Sequence, residues 1–295
     1  MSHFDYICED IFEHRKKNII LQGPPGVGKS FLAKKIAYLL MGVIDSRRVE
    51  MIQFHQSYAY EDFIQGWRPA EGGGFQLENG IFYSFCQAAQ ADLQQHPGED
   101  RPWVFIIDEI NRGNLSKIFG ELMLLVEADK RSELEKEGWT NQIPLTYSQQ
   151  REQRFGIPSN VHLIGLMNTS DRSLAMVDYA LRRRFAFHSI PPAFSQPAFL
   201  NHLLNAGLSQ RMSQHIVQSM SSLNEYILND RQRLGAGFEI GHSYFCNSVP
   251  DDVSEVEWLT DIVEYEILPL LSEYYYDSPD LVEERIALLL DFRSQ

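Results

Sequence analysis

The eight residues "GPPGVGKS", 23–30, constrain this chain more than any other stretch. They match G-x-x-x-x-G-K-[ST] at every fixed position. The apolar run "NIILQ" (18–22) precedes them, and "SFLAKKIAYLLMG" (30–42) follows with apolar residues at helical spacing. A strand that empties into a glycine-rich turn and then a helix is built to hold phosphate. Glycines let the backbone curl, and N–H groups at the helix start face the anion. Gly23, Pro24, Pro25, Gly26, Val27 and Gly28, with Phe31 in the first helical turn, are therefore predicted to line a nucleotide. Lys29 supplies a point charge to the β- and γ-phosphates, and Ser30 offers a hydroxyl to Mg²⁺.

Such a site needs a carboxylate at a neighbouring strand end, and "WVFIIDE" (103–109) provides two. Asp108 is predicted to hold the Mg²⁺ shell and Glu109 to orient the attacking water. A third apolar run, "VHLIGLM" (161–167), leads into "NTSDRS". Asn168 and Asp171 have the N-x-x-D spacing that some GTPases use to grip guanine. If this strand lies between the other two, however, Asn168 emerges beside the γ-phosphate, away from any base. The sensor reading is preferred on that condition, leaving Asp171 and Arg172 to hold the sensor loop or face a neighbouring subunit.

Further elements follow from periodicity and turn residues. Strands are expected at 49–54 and 185–190, a loop or hairpin at the glycine-rich 66–80, and helices at 81–95 and 114–127, the latter capped by Asn114. The polar stretch 128–160, with "QIPLTY" and "RFGIP", reads as a hairpin insertion, and "MVDYALRRR" as a short helix. Strands alternating with helices predict an α/β core: a parallel sheet flanked by helices. Beyond Pro191 the pattern turns helical at 197–205, 209–229, 255–272 and 279–292. Residues 1–190 are thus expected to form the nucleotide-binding core, and 191–295 a helical lid.

Net charge is −14, so no face large enough to grip DNA through its phosphates dominates. Three widely spaced cysteines without a C-x-x-C pair suit reduced thiols. With an acidic N-terminus and no apolar run of membrane-spanning length, a cytoplasmic protein without membrane contact is expected. "DYALRRRF" (178–185) places three arginines before a strand. Either they form a solvated patch at a helix end, or one or two of them, Arg183 and Arg184 by preference, complete a neighbour's site as an arginine finger. Arg112 in "DEINRGN" is a second candidate for a phosphate-facing or interface role.

"GPPGVGKS", "IIDEINR", "MNTSDRS" and "DYALRRRF" together resemble an AAA+ P-loop NTPase module. "MIQFHQSYAYEDFIQGWRP" (51–69) and "GHSYF" (241–245) narrow the resemblance to the McrB family, the GTP-dependent motor subunits of modification-dependent restriction systems. The resemblance implies an AAA+ core with a helical lid, GTP as substrate and a homo-hexameric ring. It also implies DNA translocation for an McrC-type nuclease partner, with DNA engaged through the complex or a separate reader. The family's N-terminal reader of modified cytosine finds no room in these residues, and Ser170 stands where Ala is expected. In the family, the Asn of M-N-T-x-D-R belongs to the hydrolytic machinery, which falls here on Asn168. Base recognition is expected near Tyr6–Ile7 and at 237–245, where His242, Ser243 and Tyr244 offer donors and acceptors; a lid turn that simply packs is the alternative. A competing reading is a MoxR-like AAA+ ATPase with a chaperone or metal-insertion role. A nucleotide-gated scaffold with little turnover is a third.

Overall fold

A computed structural model of the chain describes residues 3–14, 16–148, 152–171 and 182–291. In chain order its strands begin with β1 (Asn18–Gly23), β2 (Val49–Gln53), the hairpin β3 (Gln65–Pro69) and β4 (Phe75–Asn79), and β5 (Trp103–Asp108). Two short hairpins follow, β6 (Leu134–Glu135) with β7 (Gly138–Trp139) and β8 (Ile143–Pro144) with β9 (Arg154–Phe155). β10 (Val161–Asn168) and β11 (Ala186–Ser189) complete the set.

The chain divides into two compact units. One contains residues up to Gln22, Ser30–Met167 and residues 182–189; the other contains Gly23–Lys29, Asn168–Asp171 and the residues from Ile190 onward. The first is organised by a five-stranded sheet in the order β11-β1-β10-β5-β2. β1 pairs with β11, and β5 with both β10 and β2, all in parallel. Val104, Phe105, Ile106 and Ile107 of β5 and Val161, Leu163, Ile164 and Leu166 of β10 are all buried. Both faces of these strands are covered, which is why they read as unbroken apolar runs. On one face Phe63 stacks on Phe82 with ring centroids 4.7 Å apart, and Phe82 meets Phe105 edge-on at 5.0 Å. β10 lies between β1 and β5 in the sheet, the strand order on which the sensor reading of Asn168 is conditioned.

The second unit is built on the helices Pro197–Asn205, Gln210–Asn229, Glu255–Ile262, Leu268–Tyr274 and Pro279–Leu290. Ser209 and Ser254 cap two of them, each accepting from the backbone N–H three residues on, at 3.2 Å. Leu203, Ile216, Leu223, Ile227, Trp258 and Leu271 form its core.

Three expectations are corrected. The predicted helix 114–127 holds only over Leu115–Phe119 and then tightens into a 3-10 turn, Gly120–Met123. Gly120 adopts φ +51, outside the helical range, and a β-carbon there would touch the Tyr60 ring at 3.0 Å. The predicted helix 255–272 is interrupted by a π-turn, Val263–Ile267. Pro269, lacking an N–H, cannot donate to the carbonyl four residues back, and the wide turn absorbs that break. Finally, β5 stops at Asp108 rather than Glu109. The helix expected at 176–184 lies mostly outside the described residues.

Gly80 fits its place for lack of a side chain, since a β-carbon there would lie 2.4 Å from the Phe63 carbonyl carbon. Gly80→Ala should therefore cost about 1–3 kcal/mol of unfolding free energy. Gly72→Ala, which meets nothing within 4 Å, should stay within about 0.5 kcal/mol. Urea denaturation of both variants checks this; equal midpoints would contradict it.

Candidate functional site

In the second unit, the glycine-rich turn has the shape its sequence requires. Gly26 and Gly28 take φ +73 and +77, and a β-carbon at Gly28 would meet nothing within 4 Å. That leaves an open backbone cradle, as a phosphate requires. Lys29 is buried, and its Nζ donates to the Gly23 and Pro24 carbonyls, both at 2.9 Å. The carbonyls of Pro25 and Gly26 accept from the N–H groups of Gly241 at 2.9 Å and Ser243 at 2.8 Å. The contact is backbone on backbone. A β-carbon on Gly241 would fall 1.8 Å from the Gly26 carbonyl carbon, and one on Gly26 would fall 2.4 Å from the Tyr244 ring.

The 237–245 segment is itself held from behind. Asn224 accepts from the Ile240 N–H at 2.7 Å and donates to the Ile240 carbonyl at 2.9 Å. His242 Nδ1 accepts from the Ala193 N–H at 3.1 Å, and its ring stands edge-on to Phe194 and Phe199. Burial, aided by His202, lowers the His242 pKa, which suits a neutral acceptor. Burial raises the Tyr244 pKa, with Glu266 adding to the effect.

The residues that follow β10 join the same unit. Thr169 donates its N–H to the Gly23 carbonyl at 3.2 Å and its hydroxyl to the Gly237 carbonyl at 3.1 Å. Tyr274 is pushed well up by burial and then by Tyr244, Glu273 and Asp171, while the Ser170 hydroxyl acts in the opposite sense. The Ser in place of the expected Ala thus gives the loop after β10 a polar group facing Tyr274.

In the first unit, Asp108 and Glu109 sit at the exit of β5. Asp108 Oδ1 accepts from the Glu109 N–H at 2.9 Å, and its carbonyl accepts from the Phe54 N–H at 2.9 Å. Glu109 takes the left-handed conformation, φ +50, with its side chain largely buried. Non-glycine residues seldom adopt it, and where they do they cluster at functional sites. Arg112 Nε lies 3.2 Å from Glu109 Oε2, so this arginine faces the carboxylate of its own turn. Gly165 of β10 makes the turn possible: a β-carbon there would lie 2.7 Å from Ile110 Cδ1.

The two favoured arginines differ. The Arg184 side chain is 6% exposed, with Nη2 2.8 Å from Glu127 Oε1, whereas Arg183 is 68% exposed with Nη2 at 3.7 Å. Both stand at the entry to β11, level with Lys16 and Lys17 by the Ile19–Ala186 register. Arg172 lies outside the described residues. Thr169, Gly241, Lys16 and Lys17 escape the sequence reading, although Thr169 and Gly241 each stand inside a quoted motif. Among the described residues no three His, Cys, Asp or Glu side chains group as a metal site. No described helix is long and apolar enough to cross a membrane.

A glycine-rich turn closing one strand of a parallel sheet, with a carboxylate pair at the end of a strand two places along it, defines a P-loop NTPase. Residues 18–185 match the AAA domain, dynein-related subfamily, and the chain belongs to that family. Residues 215–283 match the alpha-helical lid domain of McrB. The chain is 55% identical over 265 residues to the type IV methyl-directed restriction enzyme EcoKMcrB subunit of Escherichia coli K12, covering 90% of this chain and 55% of that protein. It is 25% identical over 201 residues to the type II restriction enzyme BsuMI component YdiS of Bacillus subtilis 168, covering 58% and 56% respectively. The chain spans about half the length of these curated relatives.

Gly241→Ala should displace the 241–243 backbone from the phosphate loop and weaken nucleotide binding about tenfold or more, since overpacking of about 1–3 kcal/mol falls on the loop. Gly237→Ala, with its nearest contact at 3.0 Å, should have the smaller effect. Calorimetric titration with nucleoside triphosphate decides; unchanged affinity in Gly241→Ala would contradict the coupling.

Proposed function

We propose that the chain is the GTP-hydrolysing motor part of a modification-dependent restriction system. It forms a ring of copies, most simply a hexamer, which drives DNA translocation for an McrC-type nuclease partner in the cytoplasm. The observation that carries this reading is the 55% identity to the McrB subunit across 90% of the chain, joined to an intact phosphate loop. The match of residues 215–283 to the McrB lid favours it over a MoxR-like chaperone or metal insertase. Residues 1–190 serve as the nucleotide-binding core and 191–295 as the lid.

The backbone of Gly23–Gly28 cradles the phosphates, and Lys29 exchanges its carbonyl contacts for the β- and γ-oxygens. Ser30 and Asp108 would hold Mg²⁺, which when bound neutralises charge on those oxygens. Glu109, left-handed and buried beside Asp108, orients and polarises the attacking water. Asn168 donates toward the γ-phosphate at the end of β10, while Asp171 holds the sensor loop. Arg183, the exposed member of its pair, is the better finger toward a neighbouring copy; Arg184 and Arg112, each facing a carboxylate, support their own turns. His242 spends Nδ1 on Ala193, so base recognition falls to other atoms of 237–245.

Lys29→Ala should abolish GTP binding in calorimetry, and Glu109→Gln should bind normally while losing hydrolysis; a Glu109→Gln protein turning over at the wild-type rate would remove that residue from the water-activating role. Parallel GTP and ATP hydrolysis assays, with and without an McrC-type partner, test the wider reading, and a clear preference for ATP would favour the MoxR-like alternative.

Asn168→Ala should slow hydrolysis by at least about a hundredfold, the scale for removing one preorganised transition-state group. Asp171→Asn should keep GTP over ATP in equilibrium binding. A selective loss of GTP affinity of about tenfold or more, the worth of a charge-assisted contact to guanine, would instead make Asp171 the base reader.

A further inference from the structure

Three consecutive tyrosines, Tyr274 to Tyr276, stand at the end of the helix Leu268–Tyr274, and they go to three different places. Tyr276 is 84% exposed, and Tyr275 is 1% exposed in the core of the helical unit. Tyr274 is half-buried, with its hydroxyl oxygen shut away from solvent. Its direction depends on what precedes it. The π-turn Val263–Ile267 that absorbs Pro269 takes one residue more than a helical turn. Each helical residue rotates the chain by about 100°, so an unbroken helix over 255–274 would aim Tyr274 elsewhere.

As built, Tyr274 meets the loop after β10 by two routes. Its ring stands edge-on to Phe238 at 5.2 Å, and the preceding residue, Gly237, gives its carbonyl to the Thr169 hydroxyl at 3.1 Å. Its own hydroxyl faces the next two residues of that loop, Ser170 and Asp171, with the Ser170 hydroxyl within reach to donate to the phenolic oxygen. Tyr244, whose ring closes on Gly26 of the glycine-rich turn, is a further neighbour. No hydrogen bond of ordinary geometry fixes the Tyr274 hydroxyl among the described residues. A hydroxyl buried without a partner is costly, and phenylalanine would fill the same space without that cost. The oxygen therefore needs a use beyond packing, and Ser170 is the group placed to supply it.

We propose that Tyr274 is a positioning residue for nucleotide hydrolysis: its hydroxyl takes up that of Ser170 and holds the loop after β10, so that Asn168, two residues earlier, keeps its aim. This rests on the hydrolytic reading of Asn168 given above and extends it to a residue of the helical unit that belongs to no motif.

Tyr274→Phe removes one oxygen and keeps the ring, and Ser170→Ala removes the oxygen opposite. GTP hydrolysis and calorimetric GTP binding are measured for both, for the double variant, and for Tyr276→Phe, whose phenol stands in solvent. Each single change should lower kcat about threefold to tenfold, the worth of one neutral hydrogen bond, with GTP affinity unchanged. The double variant should be no slower than the slower single, because both changes remove one shared contact. Tyr276→Phe should match wild type. A wild-type kcat in Tyr274→Phe, losses that multiply in the double variant, or a fall in affinity in place of kcat overturns the inference. Should Tyr274→Phe fail to fold, Ser170→Ala decides: an unchanged kcat rejects the contact, and a fall in kcat at unchanged affinity supports it. Amide hydrogen exchange over 166–171 reads the loop without turnover. Exchange should be faster in Tyr274→Phe than in wild type, and equal rates overturn the proposal. If the wild-type protein hydrolyses no nucleotide while exchange still responds, the fault lies with the proposed function, and the contact stands.

Discussion

The placing of β10 between β1 and β5 governs nearly everything else about the site. In a parallel sheet, strand exits share one edge, where ligands of open α/β sheets gather. Because β10 is inserted there, the strands leading to the glycine-rich turn, to Asn168 and to Asp108 follow one another in the order β1, β10, β5. The insertion has a steric requirement. β10 must let Ile110, from the turn beyond β5, reach across it, and Gly165 is the residue that does so. A larger residue would push Ile110 out and with it the left-handed Glu109, whose conformation is unfavourable unless its surroundings hold it.

A second backbone contact gives the phosphate loop its rigidity. Loops rich in glycine lose much conformational entropy on ordering, and that loss weighs against binding unless something orders them beforehand. Here Gly241 and Ser243 take up the Pro25 and Gly26 carbonyls, and Thr169 takes up that of Gly23. The loop is thereby shaped from both flanks, with its Gly28 side left open. Asn224, holding Ile240 through both its backbone groups, transmits the register of the long Gln210–Asn229 helix into that contact. The Gln210–Asn229 helix thus sets the geometry of the segment that packs on the glycine-rich turn.

Local chemistry was legible in the sequence; long-range contact was not. The phosphate loop, the apolar strand leading into Asp108, the hairpin tipped by three glycines and the helix capped by Asn114 each declare themselves within a few residues, because the forces involved act over that range. Gly120 ended a helix that periodicity alone would continue, since its positive φ answers to Tyr60, far away in sequence. Pro269 was visible as a residue, but the π-turn that accommodates it depends on the packing of the helices around it. Gly241 stood inside a motif that suggested base recognition, and His242 beside it looked like a ligand. Only the fold reveals that the glycine exists for the Gly26 backbone and that His242 Nδ1 is committed to Ala193.

The arginines show how burial sorts residues that composition leaves equal. Three consecutive arginines carry the same charge, yet a guanidinium drawn toward the interior is stabilised by a counter-charge, because an unpaired buried cation costs several kcal/mol. Arg184 meets that condition with Glu127 at 2.8 Å. The same carboxylate lies 3.7 Å from Arg183, so its attraction is already largely engaged by the buried partner. Arg183 is left outside, its side chain 68% exposed. A surface cation is cheap to keep and quick to redirect, whereas a buried pair is rigid and costly to break. The difference between 183 and 184 therefore follows from solvation: Arg184 is fixed on Glu127 and Arg183 stays in solvent.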